Sequence, residues 1–193
     1  MSRTWFKTGS VHGRFQPLHN GHLEYIEAAL TQCDFLYVGI TQYTSHKLVQ
    51  VQSTSAVHRG HPHNNPLTYF ERTMVIDAVL GEIGVSRDRY AVVPFPIEEP
   101  HELGEFLPTA VPIFTTTYDD WNREKIRTLE QIGYEVVNLW TRPQKDVAGH
   151  EIRSLMRSGS QAWRQHVPDS AARLLDEYDV AGRLSRLVLP QGS

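Results

Sequence analysis

The ten residues Gly13-Arg14-Phe15-Gln16-Pro17-Leu18-His19-Asn20-Gly21-His22 constrain the fold of this chain more than any others. An apolar, strand-like stretch near residues 6–12 leads into them. Apolar residues at helical spacing follow: Leu23, Tyr25, Ile26, Ala29 and Leu30. A strand, a turn and a helix in that order put His19 and His22 on one face of the helix's first turn. Unsatisfied N–H groups and the positive end of the helix dipole lie at the same place. The turn is therefore suited to a polyphosphate anion. Gly21 has no Cβ and lets the anion approach the backbone. Pro17 stiffens the entry.

The rest of the chain repeats the strand–helix alternation. Phe35 to Ile40 is a short apolar run of the kind buried in parallel sheets. Residues 42–66 read as a long polar loop. A helix opens near Asn65-Pro66, or a few residues later where Thr68 and Glu71 have capping-box spacing. Met74, Val75, Ala78 and Val79 form its apolar stripe. Tyr90 to Phe95 is a third strand, and residues 96–110, with three prolines, a loop on the active-site side. Val111 to Thr115 is a fourth strand, Asp119 to Gln131 a helix ended by Gly133, and Tyr134 to Leu139 a fifth strand. After Pro143 the chain reads as helical. The expectation is an α/β, Rossmann-like fold with a five-stranded parallel sheet, helices on both faces and a small helical C-terminal part. A single domain over 1–193 is expected, with a core over 1–145 and the helical part over 146–193. Ligands of such sheets bind beyond the carboxyl ends of the strands, where the first motif falls.

Composition narrows the function classes. Hydrophobic residues make up 40% and charged residues 21%, ordinary values for a globular chain. The net charge of −3 argues against a nucleic-acid partner, which needs a basic surface. No apolar run reaches membrane-spanning length, so no membrane partner is expected. The stretch Met1 to Lys7 lacks the apolar core of a signal peptide. One cysteine, Cys33, excludes an internal disulfide. It reads as a small buried hydrophobe on the first helix and fits a reducing cytoplasm.

His19-Asn20-Gly21-His22 resembles the HxGH signature of the nucleotidyltransferase α/β-phosphodiesterase superfamily. The whole string from Gly13 to His22 is most similar to the archaeal type of nicotinamide-mononucleotide adenylyltransferase. Asn65-Pro66-Leu67-Thr68-Tyr69-Phe70-Glu71-Arg72 resembles that group's Asn-Pro-Phe-Thr-x-x-Glu-Arg helix start. Val147-Ala148-Gly149-His150-Glu151-Ile152-Arg153 stands where the group carries a hydroxyl-rich turn ending in x-Ile-Arg, but Ala148, Gly149 and His150 replace the hydroxyls. The likeness spans roughly residues 5 to 180.

This resemblance implies transfer of a nucleoside monophosphate from an NTP, ATP or CTP, to a small phosphate or phosphonate acceptor, with release of pyrophosphate. ATP with nicotinamide mononucleotide, giving NAD, is the first choice. A CTP-using enzyme that activates a phosphonate or other small phosphorylated metabolite is the alternative. Such a reaction needs no enzyme nucleophile, only positioning and positive charge on the phosphates. His19, His22 and Arg153 are the expected catalytic residues. Gly13, Arg14, Phe15, Gly21, His46, Arg72, Asp119, Trp121, Gly149 and His150 are the expected nucleotide or acceptor contacts. Arg14 has a planar fork suited to phosphate. His46 falls where relatives carry a Ser-His pair near the phosphates. Backbone N–H groups at Gly149 and His150 can bind phosphate without hydroxyls.

Several of these residues carry a purely structural alternative. Glu71 reads equally as a helix cap, and Asp119 to Asn122 as an N-capped helix start. Trp121 and Trp140 can stack on a base or pack in the core. His58, His61 and His63 lack zinc spacing and read as a solvated loop, so no resident metal is expected. Magnesium arriving with the NTP is the expected metal. A homo-oligomer is compatible with the resemblance, without a number. A nucleotide-binding regulator without turnover is a rival class, which intact His19, His22 and Arg153 oppose. A class I aminoacyl-tRNA synthetase would need a longer chain and a lysine-rich second signature. A dinucleotide-dependent oxidoreductase would need a Gly-x-Gly-x-x-Gly turn.

Overall fold

Five parallel strands run in the order β3-β2-β1-β4-β5 in the computed structural model, which describes residues 5–44, 62–118, 120–144 and 147–186. The strands are β1 (Phe6–Gly13), β2 (Cys33–Ile40), β3 (Tyr90–Pro94), β4 (Ile113–Thr117) and β5 (Val136–Thr141). The helices are α1 (Asn20–Leu30), α2 (Tyr69–Glu82), α3 (Asp120–Gln131), α4 (Gly149–Arg157), α5 (Asp169–Glu177) and α6 (Val180–Arg186). This is the expected Rossmann-like α/β fold, with helices after the last strand.

The chain divides into two compact units. The first takes residues up to Gly13, Gly21–Thr41 and Val85–Asp146. The second takes Arg14–Asn20, Gln42–Gly84 and Val147 onward. The second unit also gathers the turn after β1 and the segment carrying α2.

The first unit holds the whole sheet. β1 and β2 pair from Phe6↔Cys33 to Gly13↔Ile40, and β2 continues onto β3 from Leu36↔Tyr90 to Ile40↔Pro94. One apolar cluster is Phe95, Leu103, Leu107, Val111, Ile113, Leu129 and Tyr134, which joins the 96–110 segment and α3 to the strands. Gly39 in β2 is dictated by this packing, because a Cβ there would stand 2.6 Å from the Phe95 ring. In the second unit α2 lies against α5, and α4 and α5 lie against α6. The Glu82 carboxylate at the end of α2 accepts from Ser170 N–H at 2.8 Å and so caps α5, whose Pro168 offers no capping side chain.

Several expectations need correcting. Cys33 opens β2 rather than lying on α1; it is fully buried, and burial pushes its thiol up to about 11. β4 and β5 begin and end two residues later than their apolar runs suggest; Thr116 and Thr117, paired with Trp140 and Thr141, extend the ladder. α2 starts at Tyr69 with Thr68 as its cap, so Pro66 lies before the helix and not in its first turn. The buried stripe of α2 is Val75, Ile76, Val79 and Leu80, while Met74 and Ala78 are half-buried. Residues 96–110 contain a 3-10 turn over Pro100–Glu105.

Candidate active site

The turn after β1 is built around Gln16. Its side-chain amide pairs with the backbone of Leu67 in both directions, donating to Leu67 O at 2.8 Å and accepting from Leu67 N–H at 2.9 Å. Its main-chain carbonyl accepts from Arg153 Nη1 at 2.6 Å. Arg153 Nη2 donates to Asn64 Oδ1 at 2.8 Å. One glutamine thus ties together all three segments singled out in the sequence. Phe15, just before it, is buried and left-handed at φ 51°. That conformation costs a non-glycine residue about 1–2 kcal/mol, and the bonds on either side hold it in place.

Arg72 completes the frame. Its guanidinium donates to three main-chain carbonyls, Thr68 at 3.3 Å, Arg14 at 3.0 Å and Gln42 at 2.8 Å. Gly149 has a close-packing reason: a Cβ there would stand 3.2 Å from both Arg153 Nη1 and Gln16 O. Burial, together with the charge of Arg14, brings Arg72 and Arg153 down to about 10. The Arg14 guanidinium thus acts on both buried arginines of the second unit. Arg153 is 2% exposed, and its Nε has no hydrogen-bond partner among the described residues.

Glu71 is the cap that its spacing allows. Its carboxylate accepts from Thr68 N–H at 2.8 Å, and Glu71 N–H donates back to Thr68 Oγ1 at 3.2 Å. Arg183 grips the same carboxylate with Nη1 at 2.9 Å and Nη2 at 2.6 Å. Burial pushes Glu71 up, but the hydrogen bonds from Arg183 and Thr68 outweigh it and hold the carboxyl below its ordinary value. At the start of α4, Ala148 gives no side-chain cap, and Glu151 accepts from Ala148 N–H at 3.2 Å.

In the first unit the strand order reverses between β1 and β4, where open α/β sheets take their ligands. The two strands pair at Ser10↔Ile113. Beyond that the Tyr25 hydroxyl enters between them, accepting from His12 N–H at 3.3 Å and donating to Phe114 O at 2.5 Å. The His12 ring stacks on Phe95 at 4.4 Å and 9°. His12 is 8% exposed, and neither ring nitrogen has a hydrogen-bond partner among the described residues. Burial, with a smaller contribution from Lys125, drives its pKa well below the ordinary value, so the ring is neutral. Burying such a group without a partner costs about 1–3 kcal/mol. The sequence reading passed over His12; the signal was an imidazole at the end of a strand otherwise rich in small and apolar residues.

A cytidylyltransferase-like family profile matches residues 11–82. A phosphonoformate cytidylyltransferase of Streptomyces viridochromogenes is 38% identical over 92% of this chain and 95% of its own length. Nicotinamide-nucleotide adenylyltransferases of Picrophilus torridus and Archaeoglobus fulgidus are 30% and 28% identical, covering 91% and 89% of this chain and 94% and 92% of theirs. The chain belongs to the cytidylyltransferase-like family of nucleotidyltransferases. A bifunctional NMN adenylyltransferase/ADP ribose pyrophosphatase from Francisella tularensis, solved with AMP and a manganese ion, shares the fold. Its TM-score is 0.65 at 16% identity, over 93% of this chain and 52% of that one.

Within this nucleotidyltransferase the expected contacts fall as follows. Arg14, Phe15, His19, Arg72, Gly149 and Arg153 belong to the second unit, with Phe15, His19, Arg72 and Arg153 buried. Gly13 ends β1, and Gly21 and half-buried His22 lie in the first turn of α1. His150 is exposed in the first turn of α4. Trp140 is half-buried, donates to Tyr118 Oη at 3.1 Å and lies beneath the Arg142 guanidinium at 4.7 Å. His46, His58, His61, Asp119 and the Trp121 side chain lie outside the described residues. Among the described residues no group of His, Cys, Asp and Glu gathers as a metal site, and no helix is long and apolar enough to cross a membrane.

Proposed function

We propose that this nucleotidyltransferase moves a cytidylyl group from CTP to a small phosphonate or phosphate acceptor and releases pyrophosphate. The observation that supports the transfer chemistry is the charge of Arg14 acting on buried Arg72 and Arg153, a repulsion that an anion relieves. An acceptor oxygen attacks the α-phosphorus in line. The new P–O bond forms as the bond to the β-phosphate oxygen breaks, and pyrophosphate carries away the charge. His19 and His22 donate to phosphate oxygens where charge develops. Arg14 and Arg153 hold the leaving pyrophosphate. Gly149 and His150 offer N–H groups at the uncapped start of α4. Gly13, Phe15, Gly21 and Arg72 shape the turn, and His46, Asp119 and Trp121 remain proposed contacts. Magnesium, carried in on the triphosphate, would neutralise phosphate charge and keep most of its waters. The whole chain works as one nucleotidyltransferase domain in the cytoplasm.

The preference for CTP and a phosphonate rests on the 38% identity to the cytidylyltransferase, against 30% and 28% for the two adenylyltransferases. ATP with nicotinamide mononucleotide, put first by the motifs alone, is the second reading. The Gly13-to-His22 string and the Asn65-to-Arg72 helix start favour it. Pyrophosphate release from four NTPs against phosphonoformate, methylphosphonate and nicotinamide mononucleotide separates them. CTP with a phosphonate should turn over fastest. NAD formed from ATP would transfer the assignment to the second reading, and silence in every combination would sink both.

A further inference from the structure

A side chain from α1 stands where a bond of the β1–β4 ladder belongs. The two strands pair at Ser10↔Ile113 and no further among the described residues, with Ser10 N–H donating to Pro112 O at 2.9 Å. Along a parallel ladder both partners advance by two residues, so the next bond would run from His12 N–H to Phe114 O. The Tyr25 hydroxyl takes that place. It accepts from His12 N–H at 3.3 Å and donates to Phe114 O at 2.5 Å. One strand-to-strand bond is thus replaced by a relay through a single hydroxyl. Tyr25 is 7% exposed, and burial raises its phenol well above the ordinary value, so the hydroxyl keeps the proton it donates. Its ring meets Trp140 of β5 edge-on at 6.4 Å. All of these groups belong to the first unit.

The relay fixes α1 in a way that its other contacts do not. Ile26 and Ala29 are buried on the same helix, but apolar burial has no direction and tolerates a small slide or turn. Arg142, after β5, grips Glu24 of α1 at 2.6 Å, but both side chains are exposed, and such pairs are weak. The Tyr25 hydroxyl instead has two directional partners on two different strands. His22 precedes it by three residues, which puts the two side chains on one face of α1. We propose that Tyr25 is a positioning residue of the transfer reaction: its hydroxyl, set between β1 and β4, holds the first turn of α1 so that His22 meets the phosphate. The inference rests on the transfer reading, in which His22 donates to a phosphate oxygen. A donor displaced by about 1 Å can lose on the order of 10²-fold in rate, so a helix that carries one needs a fixed seat.

The test is a double-mutant cycle over Tyr25→Phe and His22→Ala. It is read by pyrophosphate release at saturating CTP and phosphonoformate, or at saturating ATP and nicotinamide mononucleotide if the wild type turns those over instead. Tyr25→Phe keeps the ring and removes the hydroxyl alone. In the wild-type background it should lower kcat about 10- to 100-fold, with KM for the NTP held within about threefold. In the His22→Ala background it should lower kcat by no more than about twofold, because the histidine it would misplace is gone. The melting temperature should fall by about 3–8 °C in both backgrounds, since His12 N–H and Phe114 O lose their partner. Equal losses of kcat in the two backgrounds would overturn the proposal while leaving the transfer reading intact, and so would unchanged kcat in Tyr25→Phe. Wild-type turnover in His22→Ala would instead overturn the role of His22, and this inference with it. If Tyr25→Phe does not fold, Tyr25→Leu, whose shorter side chain leaves room for the direct bond from His12 N–H to Phe114 O, is read in the same cycle. Failure of both to fold would make Tyr25 a scaffold residue only.

Discussion

Arg72 and Arg153 in the second unit and His12 in the first are all buried, and their side-chain polar groups fare in opposite ways. In the second unit Arg72 and Arg153 donate to the carbonyls of Thr68, Arg14, Gln42 and Gln16 and to the Asn64 side chain. The same groups that could meet phosphate also hold the turn in shape. In the first unit His12 donates from neither nitrogen to any described residue, and only its backbone is tied down. Phosphate is common to every nucleotidyl transfer, so its grip can be shared with the scaffold. Substitutions in the second unit should therefore damage stability and activity together, and those at groups that face ligand alone should separate them.

The largest effect is expected at the histidines of the motif. His22→Ala and His19→Ala should each lower kcat about 10²- to 10³-fold, roughly 3–4 kcal/mol of transition-state stabilisation. His22 is half-buried in the first turn of α1 and should leave the melting temperature almost unchanged. Circular dichroism melts beside pyrophosphate-release kinetics check the pair. A large fall in melting temperature with kcat preserved would place His22 in the scaffold.

Arg153→Lys should come next and should show both kinds of damage. Lysine cannot reach Gln16 O and Asn64 Oδ1 at once, and it leaves a buried carbonyl unmatched. A stability loss of about 2–3 kcal/mol is expected, with a rise in KM for NTP and, in the reverse direction, for pyrophosphate. Kinetics impaired at unchanged stability would mean that Arg153 behaves as His22 is expected to, and the contrast between the units would fail.

Glu71→Gln isolates the scaffold. It removes the charge that Arg183 grips and should cost about 1–2 kcal/mol, with activity of the folded protein unchanged. The pH dependence has a definite sign. Glu71 is held below its ordinary value, so its contribution is complete above about pH 4.3 and is lost as pH falls through the lowered value of the folded state. Acid melts of wild type and Glu71→Gln should converge in that window. Parallel curves down to the lowest pH would show that the ion pair contributes nothing.

The order of the elements could be read from the sequence because apolar period and glycine and proline punctuation are local signals. The start of α2 was ambiguous because Pro66 and Thr68 both suit a first turn; the Glu71 carboxylate, shared with Thr68 and Arg183, decides it. The edges of β4 and β5 were displaced because ladder hydrogen bonds are indifferent to the polarity of Thr117 or Thr141. In the site, the motif residues were legible as types and their mutual roles were not. Gln16 stands in the Gly13-to-His22 string with no role assigned to it, because its partners Leu67 and Arg153 lie far along the chain, which no local window contains. His12 was hidden for the opposite reason. It belongs to no signature, and only the fold shows its buried ring and its backbone bond to Tyr25.

The smallest effect expected is also the sharpest check on how tightly the second unit is locked. Gly149→Ala puts a methyl group 3.2 Å from Gln16 O and from Arg153 Nη1. Whether that costs anything depends on which neighbour can yield. Gln16 is held by both ends of its amide on Leu67, and Arg153 is held on Asn64, so neither moves freely. The gain in helix propensity from alanine should be outweighed, leaving a net loss of about 1 kcal/mol. A melting temperature lower by roughly 2–4 °C is expected for a chain of this size, with a small rise in KM for NTP as Arg153 shifts. Gly81→Ala is the matched control, since that glycine is exposed in α2 and a Cβ there meets nothing within 4 Å. It should stabilise by about 0.5–1 kcal/mol. If both alanines stabilise equally, the frame around Gln16 is soft, and the coupling of stability to activity that sets Arg153 apart from His22 disappears.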